Sequence, residues 1–295
     1  MAESHGDTVV APTEFGARPR DDELDLFGIT HAGKVRHENQ DHFLVATVHP
    51  ELIIHETSLP TPRSLPIHGS RLATVMLVAD GVGGSAGGRE ASQLAIETIM
   101  RYVSSSLRCY HAAGSSDERE FVDALRAATL EAHAAVRAES LLRPEASRMA
   151  TTLTLFIAVW PWAYVMQVGD SRCYYHQGGT LRRLTRDQTI AQDLVDQGVL
   201  APERAALSPL SNVLASAIGA EAALPEVSRV EIDTRGVFLL CSDGLTKHVT
   251  DDEIAGVLST LESSERSCRR LLDLTLERGG SDNVTVLIAR VKNAD

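Results

Sequence analysis

The chain has 295 residues, of which 43% are hydrophobic and only 4% aromatic, and its formal net charge is −12. This length and apolar fraction exclude disorder along the whole chain and allow one large domain or two small ones around an aliphatic core. A surface this acidic repels nucleic-acid phosphates and anionic lipids, so we expect neither nucleic acid nor a membrane surface as a partner.

The cysteines and the apolar runs indicate a cytoplasmic protein without a membrane segment. The four cysteines show no C-x-x-C spacing and three lie in or beside apolar runs, which predicts reduced, mostly buried thiols, with a disulfide pair as the alternative. The N-terminus lacks the apolar run of a secretory signal. The longest apolar stretch, Leu153 to Met166, is interrupted by Pro161 and is shorter than the roughly 20 residues that span a bilayer.

The predicted elements come in blocks of strands and blocks of helices. Residues 1–23 mix Pro, Gly and charge and are predicted to form a mobile tail, and residues 49–70 form a long Pro-rich loop. Strands are predicted at 24–30, 43–48, 72–79, 151–159, 163–168, 172–175, 227–232, 237–241 and 284–291. Helices are predicted at 89–110, 117–140, 191–198, 202–206, 251–258 and 265–278. This grouping favours an α+β fold with antiparallel sheets.

Five aspartates stand at the ends of apolar strands: Asp41, Asp80, Asp170, Asp243 and Asp282. Packed sheets can bring such ends to one edge, where clustered carboxylates repel one another unless hard cations bind. An all-oxygen set suits magnesium, manganese or calcium better than zinc. One aspartate at a strand end is ordinary turn chemistry, so the prediction of a metal centre depends on all five together.

Two neighbouring features support a phosphate-binding metal site. The glycines that follow Asp80 permit close approach of a ligand, and the Gly81 carbonyl is a candidate cation ligand. Arg36 precedes Asp41 by five residues, and a guanidinium group pairs with two phosphate oxygens at once. A solvated surface arginine is the alternative interpretation of Arg36.

Six short blocks follow one another along the chain: GKVRHENQD at 33–41, VADGVGG at 78–84, TTL at 151–153, VGDSR at 168–172, SDGL at 242–245 and SDNVT at 281–285. In this order they resemble the metal-dependent type 2C protein serine/threonine phosphatases in their bacterial form. The resemblance extends from about Leu24 to Val291 and so predicts a phosphatase domain over residues 24–292.

The resemblance implies a four-layer α-β-β-α sandwich of two antiparallel sheets flanked by helices, with the metal centre at one edge. In the family pattern, Asp80 bridges two manganese or magnesium ions, and Asp243 and Asp282 complete the first ion's site. The Gly81 carbonyl and water serve the second ion, where Gln40 contributes directly or through water.

The same resemblance implies the chemistry. Arg36 would bind the substrate phosphate, Asp41 would orient a metal-bound water, and Asp170 would support the site. The implied reaction is hydrolysis of phosphoserine and phosphothreonine by attack of a water that bridges two divalent cations, without a phosphoenzyme. The implied partners are a phosphorylated protein substrate and a serine/threonine kinase pathway.

The chain departs from the family pattern at two places near the site. Many bacterial members bind a third ion through an aspartate just before the segment that matches Thr151; here Ser147 and Arg148 are poor ligands and Glu145 is the nearest carboxylate, so a third ion remains open. Gln40 is neutral where some members carry Glu, which predicts weaker binding of the second ion. Residues 190–212 match the family's variable flap, which is expected to shape substrate access.

Two other classes of function stay open beside the phosphatase. A catalytically inactive relative would bind phosphoproteins without hydrolysing them, although the presence of Arg36, Asp80, Asp243 and Asp282 argues against this. A calcium-binding structural protein would explain the carboxylates but would give Arg36 no role.

Overall fold

The computed structural model describes residues 17–50, 70–82, 87–113, 118–143, 149–205, 207–260 and 262–292, with the backbone alone over 104–113. Two five-stranded antiparallel sheets are formed by the strands β1 Leu24–His31, β2 His42–Val48, β3 Ala73–Ala79, β6 Leu153–Val159, β7 Trp162–Val168, β8 Arg172–Gln177, β9 Thr180–Arg183, β10 Glu226–Glu231, β11 Val237–Cys241 and β12 Val284–Val291. The short strands β4 Gly81–Val82 and β5 Ala150–Thr151 pair separately.

The strand order is β1-β12-β11-β8-β9 in the first sheet and β10-β7-β6-β3-β2 in the second. The helices are α1 Gly87–Ala113, α2 Glu118–Leu142, α3 Ile190–Asp196, α4 Pro202–Ala205, α5 Asp243–Thr246, α6 Asp251–Ser259 and α7 Ser264–Glu277. Helices α1 and α2 share a buried apolar cluster with the second sheet, and α6 and α7 share one with the first sheet. A third apolar cluster fills the space between the two sheets.

These three clusters explain why the central strands are apolar on both faces. In β11, Leu239 faces the helices whereas Phe238 and Leu240 face the opposite sheet, and all three side chains are buried. A strand covered on both faces loses the alternation of apolar and polar residues, which leaves a short continuous apolar run. The observed layers confirm the predicted four-layer α-β-β-α sandwich.

Among the described strands and α-helices, three were not predicted from the sequence. The edge strand β9 carries two arginines among its four residues, so it lacks the apolar signal of a buried strand. The tight turn before it, Gly178-Gly179, has both φ angles positive, and such a glycine pair between two strands is a hairpin signal. Strand β4 and helix α5 are too short for a periodic pattern.

The segment just before β1 contacts the chain just before β3. Pro19 is buried, and its carbonyl accepts a hydrogen bond from the buried Arg71 guanidinium at 2.7 Å, whereas residues 1–16 of the predicted tail lie outside the described residues. Most of the predicted 49–70 loop lies outside the described residues.

Cys173, Cys241 and Cys268 are buried free thiols, as predicted. Among the described helices, none is both long enough and apolar enough to cross a membrane.

Candidate metal centre

A cleft of about 690 Å³ lies at the edge of the sandwich where strands from both sheets end. Asp80 follows β3 of the second sheet, Asp243 follows β11 of the first, and Asp282 precedes β12. The predicted site residues that line this cleft are Arg36, Gln40, Asp80, Gly81, Asp170, Asp243 and Asp282. Asp41 is buried beside them with 3% exposure, whereas Glu145 lies outside the described residues. Asn212, the last residue of the predicted flap, and Leu214, two residues beyond it, also line the cleft.

Backbone hydrogen bonds fix Asp80 and Gly81 against the start of β6. The Asp80 carbonyl accepts from the Thr152 N–H and from the Thr151 hydroxyl, both at 2.9 Å, and the Asp80 N–H donates to the Thr152 hydroxyl oxygen at 3.1 Å. A Cβ added at Gly81 would stand 2.4 Å from the carbonyl oxygen of Gly88. Only glycine therefore allows the backbone at residue 81 to approach α1 so closely.

A second close approach joins the Asp243 and Asp282 segments. A Cβ at Gly244 would stand 1.9 Å from the carbonyl oxygen of Asn283, so this glycine lets α5 touch the start of β12. The Asn283 amide nitrogen donates to the carbonyls of Ala32 and Glu38, and its amide oxygen accepts from the Gln40 N–H at 2.9 Å. Asn283 thus ties β12 to the loop that carries Arg36 and Gln40.

Asp41 is held by two hydroxyl groups from the first sheet. Its Oδ2 accepts from the Ser242 hydroxyl at 2.8 Å and from the Thr285 hydroxyl at 2.7 Å. Burial raises the pKa of Asp41 to about 6, because it outweighs the hydrogen bonds from Thr285 and Ser242, which lower that pKa. The other oxygen, Oδ1, is buried and accepts no hydrogen bond from any described residue.

The remaining carboxyl groups are crowded together with little solvent. Burial raises the pKa of Asp80 well above its usual range, and the charges of Asp41 and Asp243 raise that pKa further. Burial likewise raises the pKa of Asp243, although the Lys247 ammonium opposes the shift. Burial and the charge of Asp243 raise the pKa of Asp170 to about 8. These pKa values are raised because negative charge in this cleft is unfavourable unless protons or cations neutralise it.

Among the described residues that line the cleft, Arg36 and Lys247 supply positive charge, and both contact Asp282. Arg36 Nε lies 2.7 Å from Asp282 Oδ1, and Arg36 Nη2 donates to Oδ2 at 3.0 Å. Lys247 Nζ lies 2.8 Å from Asp282 Oδ2 and 2.6 Å from Asp243 Oδ2. Burial would raise the pKa of Asp282, but the contacts with Arg36 and Lys247 more than offset it and hold that pKa below its usual value.

The donor set fits hard divalent cations. Asp41 Oδ1 and Asp243 Oδ1 are buried side-chain oxygens with no hydrogen-bond partner among the described residues, and such orphaned acceptors suit an ion that binds oxygen. No set of three His, Cys, Asp or Glu side chains within the described ranges already has the arrangement of a metal site. Lys247 and Arg36 occupy oxygens of Asp243 and Asp282, so these carboxylates must reorient or exchange partners to bind an ion.

Four residues that support the site were not predicted from the sequence: Lys247, Ser242, Thr285 and Asn283. Lys247 follows Asp243 by four residues, the spacing that brings two side chains together on one turn of helix. This spacing predicts the contact between Asp243 and Lys247 only if a helix begins at Asp243, and the sequence shows no helical period there. Ser242, Thr285 and Asn283 lie within the quoted blocks, but their contacts with Asp41 and the Arg36 loop span more than 200 residues of chain and leave no local pattern.

The chain matches known phosphatases in sequence. A family model described as Protein phosphatase 2C matches residues 67–279, well over half of the chain. The serine/threonine protein phosphatase PstP of Mycobacterium tuberculosis is 34% identical over 223 residues, which cover 76% of this chain and 41% of that protein. The chain thus spans less than half the length of that relative. The serine/threonine phosphatase stp of Listeria welshimeri is 32% identical over 221 residues, covering 72% of this chain and 83% of that protein.

The fold agrees with these matches. A crystal structure of the catalytic domain of the phosphatase PstP in complex with two manganese ions superposes with a TM-score of 0.70 at 28% identity, covering 92% of this chain and 99% of that one. The segments that carry Arg36, Asp41 and Asp282 lie outside the range of the family model, and the structure brings them to the same cleft as Asp80 and Asp243. On the sequence match and the shared architecture, this chain belongs to the protein phosphatase 2C family.

Proposed function

We propose that this chain hydrolyses phosphoserine and phosphothreonine in phosphorylated proteins, with two manganese or magnesium ions bound in the cleft. The observation that carries the proposal is the meeting of Asp80, Asp243 and Asp282, from the ends of strands in both sheets, beside an accessible Arg36. Family membership and the two manganese ions in the PstP structure support the same activity.

The metal ligands in this proposal are Asp80, Asp243, Asp282 and the carbonyl of Gly81, with Gln40 beside the second ion. Bound divalent cations would supply neutralisation of phosphoryl charge and acidification of water. The unpartnered Asp243 Oδ1 is available for such a bond without loss of an existing hydrogen bond. A third ion would have Glu145 as its nearest carboxylate in the sequence, and that residue lies outside the described ranges.

Substrate binding falls to Arg36 in this proposal. Its side chain is 52% exposed at the rim of the cleft, and its contact with Asp282 aims the guanidinium group inwards. A phosphate group next to the carboxylate cluster would gain a bidentate donor if the guanidinium exchanged its contact with Asp282 for the phosphate oxygens. Asp41 would hold water through its unpartnered Oδ1, because Ser242 and Thr285 already fix its other oxygen. Asp170 would add a carboxyl group at the cleft wall.

The first test measures hydrolysis of p-nitrophenyl phosphate and of a phosphothreonine peptide with manganese, magnesium or EDTA. We expect turnover that requires manganese or magnesium and that falls at least about 100-fold in Asp243→Asn, because the variant loses a charged ligand. The matched control is Asp252→Asn, which removes an exposed carboxylate on α6 and should retain wild-type activity.

Two results would contradict the proposal. Folded protein that shows no turnover with any cation would favour a relative that only binds phosphoproteins. Calcium binding that raises the melting temperature without hydrolysis in manganese or magnesium would favour a structural role for the ions.

The partner and location follow from the same proposal. A serine/threonine kinase pathway must supply the phosphorylated protein substrate, because the proposed reaction consumes the phosphoprotein that such a kinase produces. The net charge of −12 makes nucleic acid and anionic membrane surfaces poor partners. The buried free thiols at Cys173, Cys241 and Cys268 support a reducing, cytoplasmic location.

A further inference from the structure

Lys247 holds a position that the proposed reaction does not explain. It follows the last residue of α5, and its side chain turns back over that helix towards Asp243. The ammonium nitrogen lies 2.6 Å from Asp243 Oδ2 and 2.8 Å from Asp282 Oδ2, and only 29% of the side chain is exposed. A single ammonium group therefore bridges the carboxylate at the start of α5 and the carboxylate that precedes β12.

These two carboxylates are the ones assigned above to the first divalent cation. Arg36 contacts Asp282 through both oxygens, so Asp282 has no oxygen free of a cationic partner, whereas Asp243 keeps one. A divalent cation between Asp243 and Asp282 would stand next to the ammonium group, and like charges at that range repel strongly where solvent is scarce. The ion and the ammonium group cannot both occupy the space between the two carboxylates.

We propose that the Lys247 ammonium competes with the first divalent cation for Asp243 and Asp282. Lys247 would then weaken metal affinity and at the same time stabilise the metal-free protein, because it neutralises carboxylates that otherwise repel one another. This inference rests on the proposed metal centre and adds the residue that sets how much free manganese or magnesium is needed to load it.

The test measures manganese binding by isothermal titration calorimetry, and melting temperature in EDTA, for the wild type and for Lys247→Met. Methionine keeps an unbranched apolar stem but removes the charge. We expect the first manganese ion to bind about tenfold more tightly to Lys247→Met than to the wild type, because the variant lacks the ammonium group that competes for the carboxylates. We also expect a lower melting temperature in EDTA and a larger rise on addition of manganese.

Two further variants make the result specific. Lys247→Arg keeps the charge and should keep weak binding, and Lys247→Gln tests the loss of charge if the methionine variant does not fold in EDTA. Lys292→Met is the matched control, because Lys292 donates to the Asp22 carbonyl, away from the cleft. Its manganese affinity should equal that of the wild type.

The outcomes separate this inference from the proposed function. Equal or weaker manganese binding by Lys247→Met and Lys247→Gln, with manganese binding intact in the wild type, would overturn the competition and leave the metal centre standing. Absence of manganese binding by the wild type would overturn the metal centre itself and the competition with it.

Discussion

Gly244 decides how closely two of the carboxylates approach. A side chain at this position would meet the carbonyl of Asn283, and the next residue of that segment is part of β12. Because the obstacle is backbone rather than a flexible side chain, the segments that carry Asp243 and Asp282 would have to separate to admit even a methyl group.

We therefore expect Gly244→Ala to lower the free energy of unfolding by about 1–3 kcal/mol or more, the usual cost of overpacking, and to weaken manganese binding. Gly256→Ala is the matched control. Gly256 lies in α6 with nothing within 4 Å of an added Cβ, so alanine there should stabilise the helix by up to about 1 kcal/mol. Urea unfolding with calorimetric titration measures both effects, and equal stability of the two variants would refute the steric argument.

At this scale the sequence identified the charged groups but not their supports. Asp80, Asp243 and Asp282 stand out because they end or begin apolar runs, and that signal is local. The hydroxyl groups of Ser242 and Thr285 on Asp41 are not predictable in the same way, since a serine or threonine in a strand has many ordinary uses. Their role depends on a contact between sheets that only folding creates.

The N-terminus of α7 shows how one element is attached to its sheet. Asp25 on β1 accepts hydrogen bonds from the Ser264 N–H at 2.9 Å and from Arg290 Nε at 2.8 Å. Burial would raise the pKa of Asp25, but these bonds from Arg290 and Ser264 hold it below its usual value of 3.8. The carboxylate thus joins helix α7 to the paired strands β1 and β12.

Because the folded pKa of Asp25 is lowered, its contribution to stability is complete above its usual pKa and is lost as pH falls through the folded value. We expect Asp25→Asn to destabilise the protein by about 1–2 kcal/mol at pH 7. The difference from wild type should shrink as pH falls below the usual pKa of 3.8 and through the lower folded pKa, because the unfolded chain takes up the proton first. Chemical denaturation across pH measures it, with the exposed Asp273→Asn on α7 as control, and a gap that stays constant over the whole acid range would contradict this account.

Helices and strands were predictable wherever the periodic spacing of apolar residues extended over enough of the sequence. Strand β3 and helix α2 were predicted within two residues of their observed bounds. Strand β9 was not, because it lies at the sheet edge, both of its arginines are exposed, and it depends on pairing with β8 rather than on burial. Tertiary pairing, not local propensity, makes this segment a strand.

At the scale of the whole molecule, the layer between the two sheets connects the halves of the site. The ring of Phe238 packs against the rings of Phe156 and Tyr175, with centroids 4.5 and 4.6 Å apart. Phe156 belongs to the second sheet and Phe238 and Tyr175 to the first, so this contact holds the sheets face to face.

We expect Phe238→Ala to lower the free energy of unfolding by about 3–5 kcal/mol, the cost of removing a buried aromatic side chain. Excess manganese should recover part of that loss, since an ion held by both sheets stabilises the folded state only. Leu142→Ala, at a side chain that is 77% exposed, should change stability by less than about 0.5 kcal/mol. Urea unfolding with and without manganese tests this, and a fully retained midpoint in Phe238→Ala would argue against the inter-sheet contact.

The pairing of β1 with β12 has a consequence for the order of assembly during synthesis. These two strands pair along their whole length, from Leu24 with Val291 to His31 with Val284, although they stand at opposite ends of the domain. Asp282 lies just before β12, so a growing chain presents Asp41 and Asp80 to solvent long before their partners exist. The metal centre closes only after β12 has left the ribosome and taken its place between β1 and β11. Phosphatase activity of ribosome-bound chains of increasing length would therefore report when β12 docks.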